Sequence, residues 1–313
     1  MSRAVGTGVG RAIQRALYGP PAIRTFAARL RPRACVLVYH RVGEPPSDPY
    51  GQAVAPERFA RQLDAVHSRY HVLAVYDLLE RLQGRDYRDG TVAVTFDDGY
   101  ADTLTQAYPL AAGLGVPIHV FVTAGPVVAG ARQFWWDELA ALTAPDRSDH
   151  HVLHDQLRRL PAGAREERLA TLRNGDAAGD EEIAGRPLTA TEVTELAGLP
   201  LAAVGAHTLT HPQLAALPAA EQLIELVEGR RRLETLTGRS IDVLAYPFGK
   251  RADVSSQTRR LAADAGYVAA FLSTPQSIVP SSDRYALPRL TVHDWTAEVL
   301  LQRIADVLGP VPR

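Results

Sequence analysis

"TVAVTFDDGY", residues 91–100, leads from an apolar, β-branched run into two adjacent aspartates and a glycine. An uninterrupted apolar run of this kind is typical of a strand that is buried on both faces, as in a parallel sheet. Two carboxylates at the end of a buried strand repel each other and lose their hydration, so a positive charge has to offset the cost. The stretch therefore predicts a parallel sheet with a positively charged group beside the carboxyl end of this strand.

Similar runs recur along the chain, and segments with helical spacing separate them. The runs are "ACVLVYH" (34–40), "HVLAV" (71–75), "TVAVTFD" (91–97), "PIHVFVT" (117–123), "LAAVGAHT" (201–208), "DVLAYPFG" (242–249) and "YVAAFLS" (267–273). Strands that alternate with helices predict a (β/α) barrel or a doubly wound sheet. Residues from about 130 to 198 break this rhythm because they are polar, helical in pattern and poor in strands. They predict a helical insertion after the fourth strand, folded over the barrel face.

The composition argues against a nucleic-acid binder and excludes an intrachain disulfide. The formal net charge is -1, whereas nucleic-acid binders carry a strong basic excess. The single cysteine, Cys35, has no partner cysteine in the chain. Its place in an apolar run favours a buried core thiol over a catalytic nucleophile, which needs an electropositive and accessible setting.

The first 33 residues form a basic arm that contains seven arginines, whereas the first acidic residue of the chain is Glu44. The arm lacks the apolar core of a secretory signal, and no run has the roughly 18 or more apolar residues of a membrane span. We therefore expect a cytoplasmic protein. The arm is either a solvated extension or a peripheral contact with an anionic surface, such as the inner face of the membrane.

Reactive side chains follow the predicted strands. His40 ends the first run, Asp97 and Asp98 end the third, His207 ends the fifth, and "YPFG" (246–249) ends the sixth. In a parallel barrel, the carboxyl ends of the strands meet at one face, and catalytic groups collect there. We therefore expect these residues to share one pocket.

"GAHTLTH" (205–211) places three residues between His207 and His211. In a helical turn, that spacing directs both imidazoles towards one ion. Two histidines, a carboxylate and an open position form the ligand set of a hydrolytic zinc site or a related divalent-metal site. A lone H-x-x-x-H motif usually binds nothing, but the aspartate pair favours a metal here, and the cation would balance the two carboxylates.

These motifs, in this order, resemble those of the NodB-homology polysaccharide deacetylases, carbohydrate esterase family four. The resemblance rests on "TFDDGY" (95–100), "HTLTH" (207–211) and "YPFG" (246–249), with "VLVYHRVG" (36–43) and "LPRLTVHDW" (287–295) resembling one branch of the family. It implies a distorted NodB-type (β/α) barrel of seven or eight strands. The implied deacetylase domain covers 34–305, between the arm (1–33) and a short C-terminal tail (306–313).

The resemblance also implies roles for individual residues. Asp97 would be the general base, and Asp98, His207 and His211 would hold a divalent metal, for which Zn²⁺ is favoured over Co²⁺. The metal would polarise the acetamide carbonyl and activate water. The backbone N–H of Phe248 would stabilise the oxyanion.

The chain departs from the family pattern at the residue that orients the base. Many members carry an arginine where this chain has Ala245. Arg289 or Arg251 could pair with Asp97 instead, and we favour Arg289 because it ends another apolar run.

A second departure concerns the general acid. The late leucine-x-histidine motif that supplies this acid in the family is not recognisable. His40, at a strand end, and His293 are the two alternatives for protonating the leaving amine.

Other polar and aromatic residues receive structural interpretations. Thr208 is expected to brace the metal loop by hydrogen bonds. The aromatic residues of "QFWW" (133–136) either stack on a sugar ring or anchor a helix in the core. We expect His150, His151 and His154 to be exposed to solvent, because they lie in a polar stretch away from any strand end.

Taken together, the resemblance implies a metal-dependent hydrolase that removes acetyl from an N-acetylated sugar. Two alternatives stay open. The same barrel could hydrolyse another C–N amide bond, such as a formamide or a cyclic imide, because fold alone does not fix the substrate. The missing arginine and acid motifs would also suit a carbohydrate-binding pseudoenzyme, against which stands the intact set of aspartates and histidines.

Overall fold

The computed structural model describes residues 33–45, 48–84, 86, 89–143, 148–173 and 185–309. The predicted basic arm lies outside the described residues except for Arg33. The last four residues of the predicted C-terminal tail also lie outside them. Within the described ranges, no helix combines the length and the hydropathy needed to cross a bilayer.

Parallel strands form the main sheet of the described structure. The strands are β1 (Ala34–Tyr39), β2 (Arg41–Val42), β3 (Ala53–Val54), β4 (His71–Val72), β5 (Thr91–Phe96), β6 (Ile118–Val122), β7 (Ala202–Ala206), β8 (Val243–Ala245), β9 (Ala269–Phe271) and β10 (Leu290–Thr291). Their order in the main sheet is β10-β1-β5-β6-β7-β8-β9, with β4 paired to the start of β5, while β2 and β3 form a separate pair. Each of the seven runs in the sequence that predicted a strand contains one.

The sheet curls until its two edges meet. Leu287 N–H donates to the carbonyl of Ala270 in β9, and three residues later Leu290 pairs with Leu37 of β1. Residues 287–291 therefore connect the β9 edge to the β1 edge. This arrangement confirms the distorted NodB-type barrel.

Helices surround the sheet. They are α1 (Pro56–Arg69), α2 (Val75–Gly84), α3 (Tyr108–Gly113), α4 (Ala124–Ala129), α5 (Trp135–Thr143), α6 (Ser148–Leu157), α7 (Ala162–Arg173), α8 (Ala190–Gly198), α9 (Ala219–Thr237), α10 (Ser256–Asp264) and α11 (Ala297–Leu308). Helix α1 shows the common pattern, because Phe59, Leu63 and Val66 recur at helical spacing and are buried. The apolar stripe of such a helix covers the outer face of the barrel.

The core explains why the strand signal was strong. Every residue of β1 and β5 is buried, so an apolar side chain is favoured at each position and not only at alternate ones. Cys35 lies in this core, and burial raises the pKa of its thiol to about 12. The interpretation of Cys35 as a core residue therefore agrees with the structure.

The helical insertion lies between β6 and β7, as the sequence predicts. Helices α5, α6 and α7 share a small apolar core of their own, built around Leu139, Leu157 and Leu169. Helix α8 packs against β7 and α9 instead, so it belongs to the outer ring of the barrel. The part of the insertion that covers the barrel face consists of α5 to α7.

Candidate active site

A pocket of about 640 Å³ opens at the carboxyl ends of the strands. It is lined by seven residues that the sequence singled out for catalytic or metal-binding roles, namely His40, Asp97, Asp98, His207, His211, Phe248 and His293. Arg289, the favoured partner of Asp97, lies behind Asp97 and is fully buried. The common pocket follows from the parallel topology, which brings the ends of β1, β5, β7 and β8 to one face.

Asp98, His207 and His211 converge on one point. The Oδ1 atom of Asp98 lies 3.4 Å from Nε2 of His207 and 3.3 Å from Nε2 of His211. Their ligand atoms all lie within 4.8 Å of one another, and all three residues are buried. Among the described residues, this is the one group of three or more potential ligands that meets this criterion.

The electrostatics of the cluster suit a cation. Burial raises the pKa of Asp98, but the hydrogen bonds from both imidazoles outweigh burial and hold this pKa well below its usual range. Burial lowers the pKa of His211 to about 4, so its ring is neutral at neutral pH, which is the form that binds metals. The residues present therefore fit a divalent metal.

A hydrogen bond to the backbone orients His207 so that one ring nitrogen is available to a cation. Its Nδ1 atom lies 2.8 Å from the carbonyl oxygen of Ala245. A carbonyl only accepts, so Nδ1 carries a proton, and Nε2, which faces Asp98, is the nitrogen that a metal would take. Nδ1 of His211 is buried and has no hydrogen-bond partner among the described residues. Each imidazole can thus offer one nitrogen to an ion at this point.

The path of the chain between the two histidines corrects the sequence-based expectation. No helical turn forms here. Thr208 and His211 have left-handed backbone conformations, with φ of 65° and 60°, and these reversals bring the two rings together. The hydroxyl of Thr208 accepts the His211 N–H at 3.0 Å, which agrees with the bracing role expected of Thr208.

Left-handed residues also occur in the pocket loops that follow β5 and β8. Asp98 has φ of 69° and Phe248 has φ of 62°. Such conformations cost about 1–3 kcal/mol each in a residue with a side chain, and they cluster at functional sites. Backbone strain is therefore concentrated at the positions that present the predicted ligands and the predicted oxyanion donor.

Arg289, and not Arg251, pairs with Asp97. Its Nη1 and Nη2 atoms donate to Oδ1 and Oδ2 of Asp97 at 2.7 and 2.6 Å. Burial raises the pKa of Asp97, but the Arg289 charge outweighs this effect and lowers the pKa below its ordinary value. Asp97 is therefore an ionised carboxylate that is fixed in orientation. Arg251 instead donates to Gln276 on an exposed face.

Both alternatives for the general acid line the pocket. His40 is held among buried residues, and its Nδ1 has no hydrogen-bond partner within the part of the chain that the structure describes. Burial lowers the pKa of His40, although the charges of Asp98 and Asp97 act in the opposite direction. His293 Nδ1 lies 2.8 Å from the carbonyl oxygen of Gly51, so His293 is already engaged with a neighbouring loop.

The expectation that the insertion histidines are exposed is wrong in part. His150 is buried, with ring nitrogens 3.1 Å from Tyr50 Oη and 2.7 Å from Thr143 Oγ1. His151 and His154 line the pocket, and His151 is exposed at its rim. Because α6 folds back over the barrel mouth, a polar stretch far from any strand end in sequence becomes a wall of the site.

The aromatic residues at the start of α5 mainly anchor the insertion. Phe134 and Trp136 stack at 4.5 Å and are buried with Tyr100. The indole N–H of Trp136 donates to Tyr100 Oη at 2.7 Å. The Trp136 ring also lines the pocket beside His211, with centroids 4.3 Å apart. Phe134 therefore anchors the helix in the core, whereas Trp136 both packs in the core and presents part of its ring to the pocket.

Glu225 of α9 supports the loop between His207 and His211, the candidate metal loop, and has no signal in the sequence. Its Oε2 accepts the N–H groups of Leu209 and Thr210 at 2.9 and 2.8 Å, and its Oε1 accepts the Thr210 hydroxyl at 2.6 Å. Gly229, one turn further along the helix, lets the loop approach, because a Cβ there would lie 2.7 Å from the Thr208 carbonyl carbon. In the sequence, Glu225 looks like any surface acid of an amphipathic helix.

Comparison with known proteins agrees with this geometry. The Streptococcus pyogenes deacetylase PplD in complex with acetate is similar at 18% identity and a TM-score of 0.62, and the match covers 90% of this chain and 100% of that chain. IcaB from Ammonifex degensii matches at 20% identity and a TM-score of 0.60, over 89% of this chain and 98% of its own. BC0361, a polysaccharide deacetylase from Bacillus cereus, matches at 17% identity and a TM-score of 0.61, over 88% of this chain and 69% of its own. At these identities the likeness shows the fold. No curated protein matches the chain.

The family itself is shown by a sequence match. The model of the polysaccharide deacetylase family matches residues 84–270, which is more than half of the chain. The match includes the aspartate pair after β5, the two histidines after β7 and the turn after β8. This chain belongs to the polysaccharide deacetylase family.

Proposed function

We propose that the protein is a metal-dependent hydrolase that removes the acetyl group from an N-acetylated amino sugar in a glycan, glycolipid or glycoside. The observation that carries the proposal is the pairing of two sites in one pocket. Asp98, His207 and His211 form a potential metal site, and Asp97, held by Arg289, lies next to it with its carboxylate ionised.

The cation would be held by Asp98, His207 and His211. The nitrogen and oxygen ligands favour Zn²⁺, with Co²⁺ as the alternative. When bound, it would supply Lewis-acid polarisation of the acetyl carbonyl. The buried and aligned ligands need little rearrangement to receive it.

The remaining steps belong to the side chains of this chain. Asp97 accepts the proton of the attacking water, since Arg289 keeps it ionised and fixes its plane. The backbone N–H of Phe248 donates to the oxygen that gains negative charge. We assign the leaving amine's proton to His40, because His293 is engaged with the Gly51 carbonyl.

Two variants separate metal binding from base catalysis. Asp97→Asn should retain the metal and lose about 10²- to 10⁴-fold in turnover, the usual contribution of a general base. His207→Ala should lose the metal itself, because it removes one of three ligands. Metal content is measured by elemental analysis, and turnover by acetate release from a panel of N-acetylhexosamine compounds with and without chelator. A fully active Asp97→Asn variant would show that the base is assigned wrongly.

The alternatives predict different outcomes of the same assay. A hydrolase of another amide would bind metal and release no acetate from any sugar, but would cleave formamides or cyclic imides. A pseudoenzyme would release no acetate and would cleave no formamide or cyclic imide. Its motivation was the absence of the arginine and acid motifs of the family, and Arg289 now supplies the arginine's ion pair from the segment before β10. We therefore favour the deacetylase.

A further inference from the structure

The turn after β8 carries the proposed oxyanion donor in an unfavourable conformation. Phe248 and Gly249 are both left-handed, with φ of 62° and 65°. Ser273 supports one side of the turn, because its N–H donates to the Gly249 carbonyl at 2.8 Å. A phenylalanine stays in this region only when its surroundings enforce it. The contacts of its side chain therefore matter.

Arg158, the residue that follows α6, covers this turn from the side of the insertion. Its guanidinium carbon lies 4.9 Å from the centre of the Phe248 ring. Its Nη1 donates to Oδ1 of Asp253 at 3.1 Å, and its Nε donates to Asp155 at 2.9 Å. The guanidinium is thus fixed at two points while its face covers the ring.

Asp253 links the same arginine to the backbone of the turn. Its side chain is 1% exposed, and its Oδ2 accepts the N–H of Lys250 at 3.0 Å. One buried carboxylate therefore holds both the residue that follows Gly249 and the arginine that covers Phe248. The Arg158–Asp253 pair fixes the turn from both sides of Phe248.

The backbone of Arg158 joins a second loop. Its carbonyl accepts the N–H of Gln213 at 2.7 Å, two residues beyond the predicted ligand His211. The insertion thus contacts the metal loop through a backbone bond and the oxyanion turn through a side chain. Replacing the side chain affects only the second contact.

We propose that Arg158 is a positioning residue: through Phe248 and Asp253 it aims the Phe248 N–H at the reacting carbonyl. This inference rests on the proposed function, because it takes that N–H as the oxyanion donor. Such donors act only when they are held in place before the reaction. Helix α6 would then be part of the catalytic machinery through Arg158.

The kinetic test compares Arg158→Ala, Asp253→Asn and the double variant. Each single variant should lower kcat by about tenfold or more, but by no more than the roughly 10²- to 10³-fold loss that follows removal of a whole oxyanion donor. KM and metal content should not change. The double variant should be no slower than the worse single variant, because both break one contact. Arg168→Ala is the matched control, since Arg168 is an exposed residue of α7 in the same insertion and does not line the pocket, and its kcat should not change.

The opposite pattern overturns the inference. If Arg158 bound the substrate directly, Arg158→Ala would raise KM and Asp253→Asn would not. Additive losses in the double variant would also contradict a shared contact, and so would an unchanged kcat in both single variants. Circular dichroism of each variant ensures that the comparison is made between folded proteins.

Hydrogen exchange tests the same inference without turnover. Amides of residues 248–250 should exchange faster in Arg158→Ala and in Asp253→Asn than in the wild type, whereas amides of the 207–211 loop should not. Unchanged exchange at 248–250 overturns the inference. If the wild type released no acetate from any sugar, the proposed function would fail, and the exchange result would still decide whether Arg158 holds the turn.

Discussion

Replacing Arg289 by methionine is expected to damage both stability and catalysis. Methionine fills a similar space but leaves Asp97 buried without its ion pair. Arg289 is fully buried, and it donates to Asp97 through both Nη atoms and also to Thr95 and the Leu272 carbonyl. Removing one partner of such a buried pair costs about 3–5 kcal/mol of unfolding free energy.

A second substitution, at Asp97, tests whether the lost unfolding free energy comes from the unpaired carboxylate. In the double variant Arg289→Met with Asp97→Asn, no unpaired charge remains buried, so part of the lost stability should return. Arg251→Met is the matched control, because Arg251 is exposed and donates to Gln276 alone among the described residues. Its unfolding free energy should stay within about 0.5 kcal/mol of the wild type.

The assay is urea unfolding followed by tryptophan fluorescence, together with the pH profile of kcat/KM. Without Arg289, burial of Asp97 is opposed by fewer positive charges, so its pKa rises. The acidic limb of the profile should therefore move to higher pH. A loss below about 1 kcal/mol with an unmoved acidic limb, or equal damage from Arg251→Met, would refute the reasoning.

Two further variants test the support of the metal site and the general acid. Glu225→Ala removes the acceptor of the two N–H groups in the 209–210 turn and should weaken metal affinity by about 10- to 100-fold in a chelator competition. Glu228→Ala is the control, because Glu228 is partly exposed on the same helix and pairs with Arg231; equal affinities of the two variants would contradict the role of Glu225. His40→Asn should slow acetamide hydrolysis by about 10²-fold or more but spare an activated acetyl ester, whose leaving group needs no proton. If His293→Asn shows that selectivity instead, His293 is the acid.

Arg289 shows where sequence reasoning reached its limit. Its pairing with Asp97 joins residues 192 positions apart, and it exists because the segment before β10 closes the barrel beside β9. The sequence left two arginines as candidate partners of Asp97 and favoured Arg289 by its place in an apolar run. The closure of the sheet brings Arg289, and not Arg251, to Asp97.

The insertion shows a larger gap. His151, His154 and Arg158 lie in a polar stretch whose helices have weak amphipathic patterns, so no local signal tells which face covers the barrel mouth. Glu225 is similar, since only the close packing of α9 against the metal loop buries it. Such placements depend on contacts between distant elements, and a single sequence does not encode them in any short pattern.

The sequence by itself determined the strands, the parallel barrel and the common pocket of the aspartates and histidines. Buried parallel strands need continuous apolar runs, and parallel strands bring their carboxyl ends to one face, so local patterns and topology were sufficient. Only the tertiary structure decided the ion pair of Asp97, the left-handed turns that aim His211 and Phe248, and the wall that α6 adds to the pocket. Each of these depends on how separate segments pack in three dimensions.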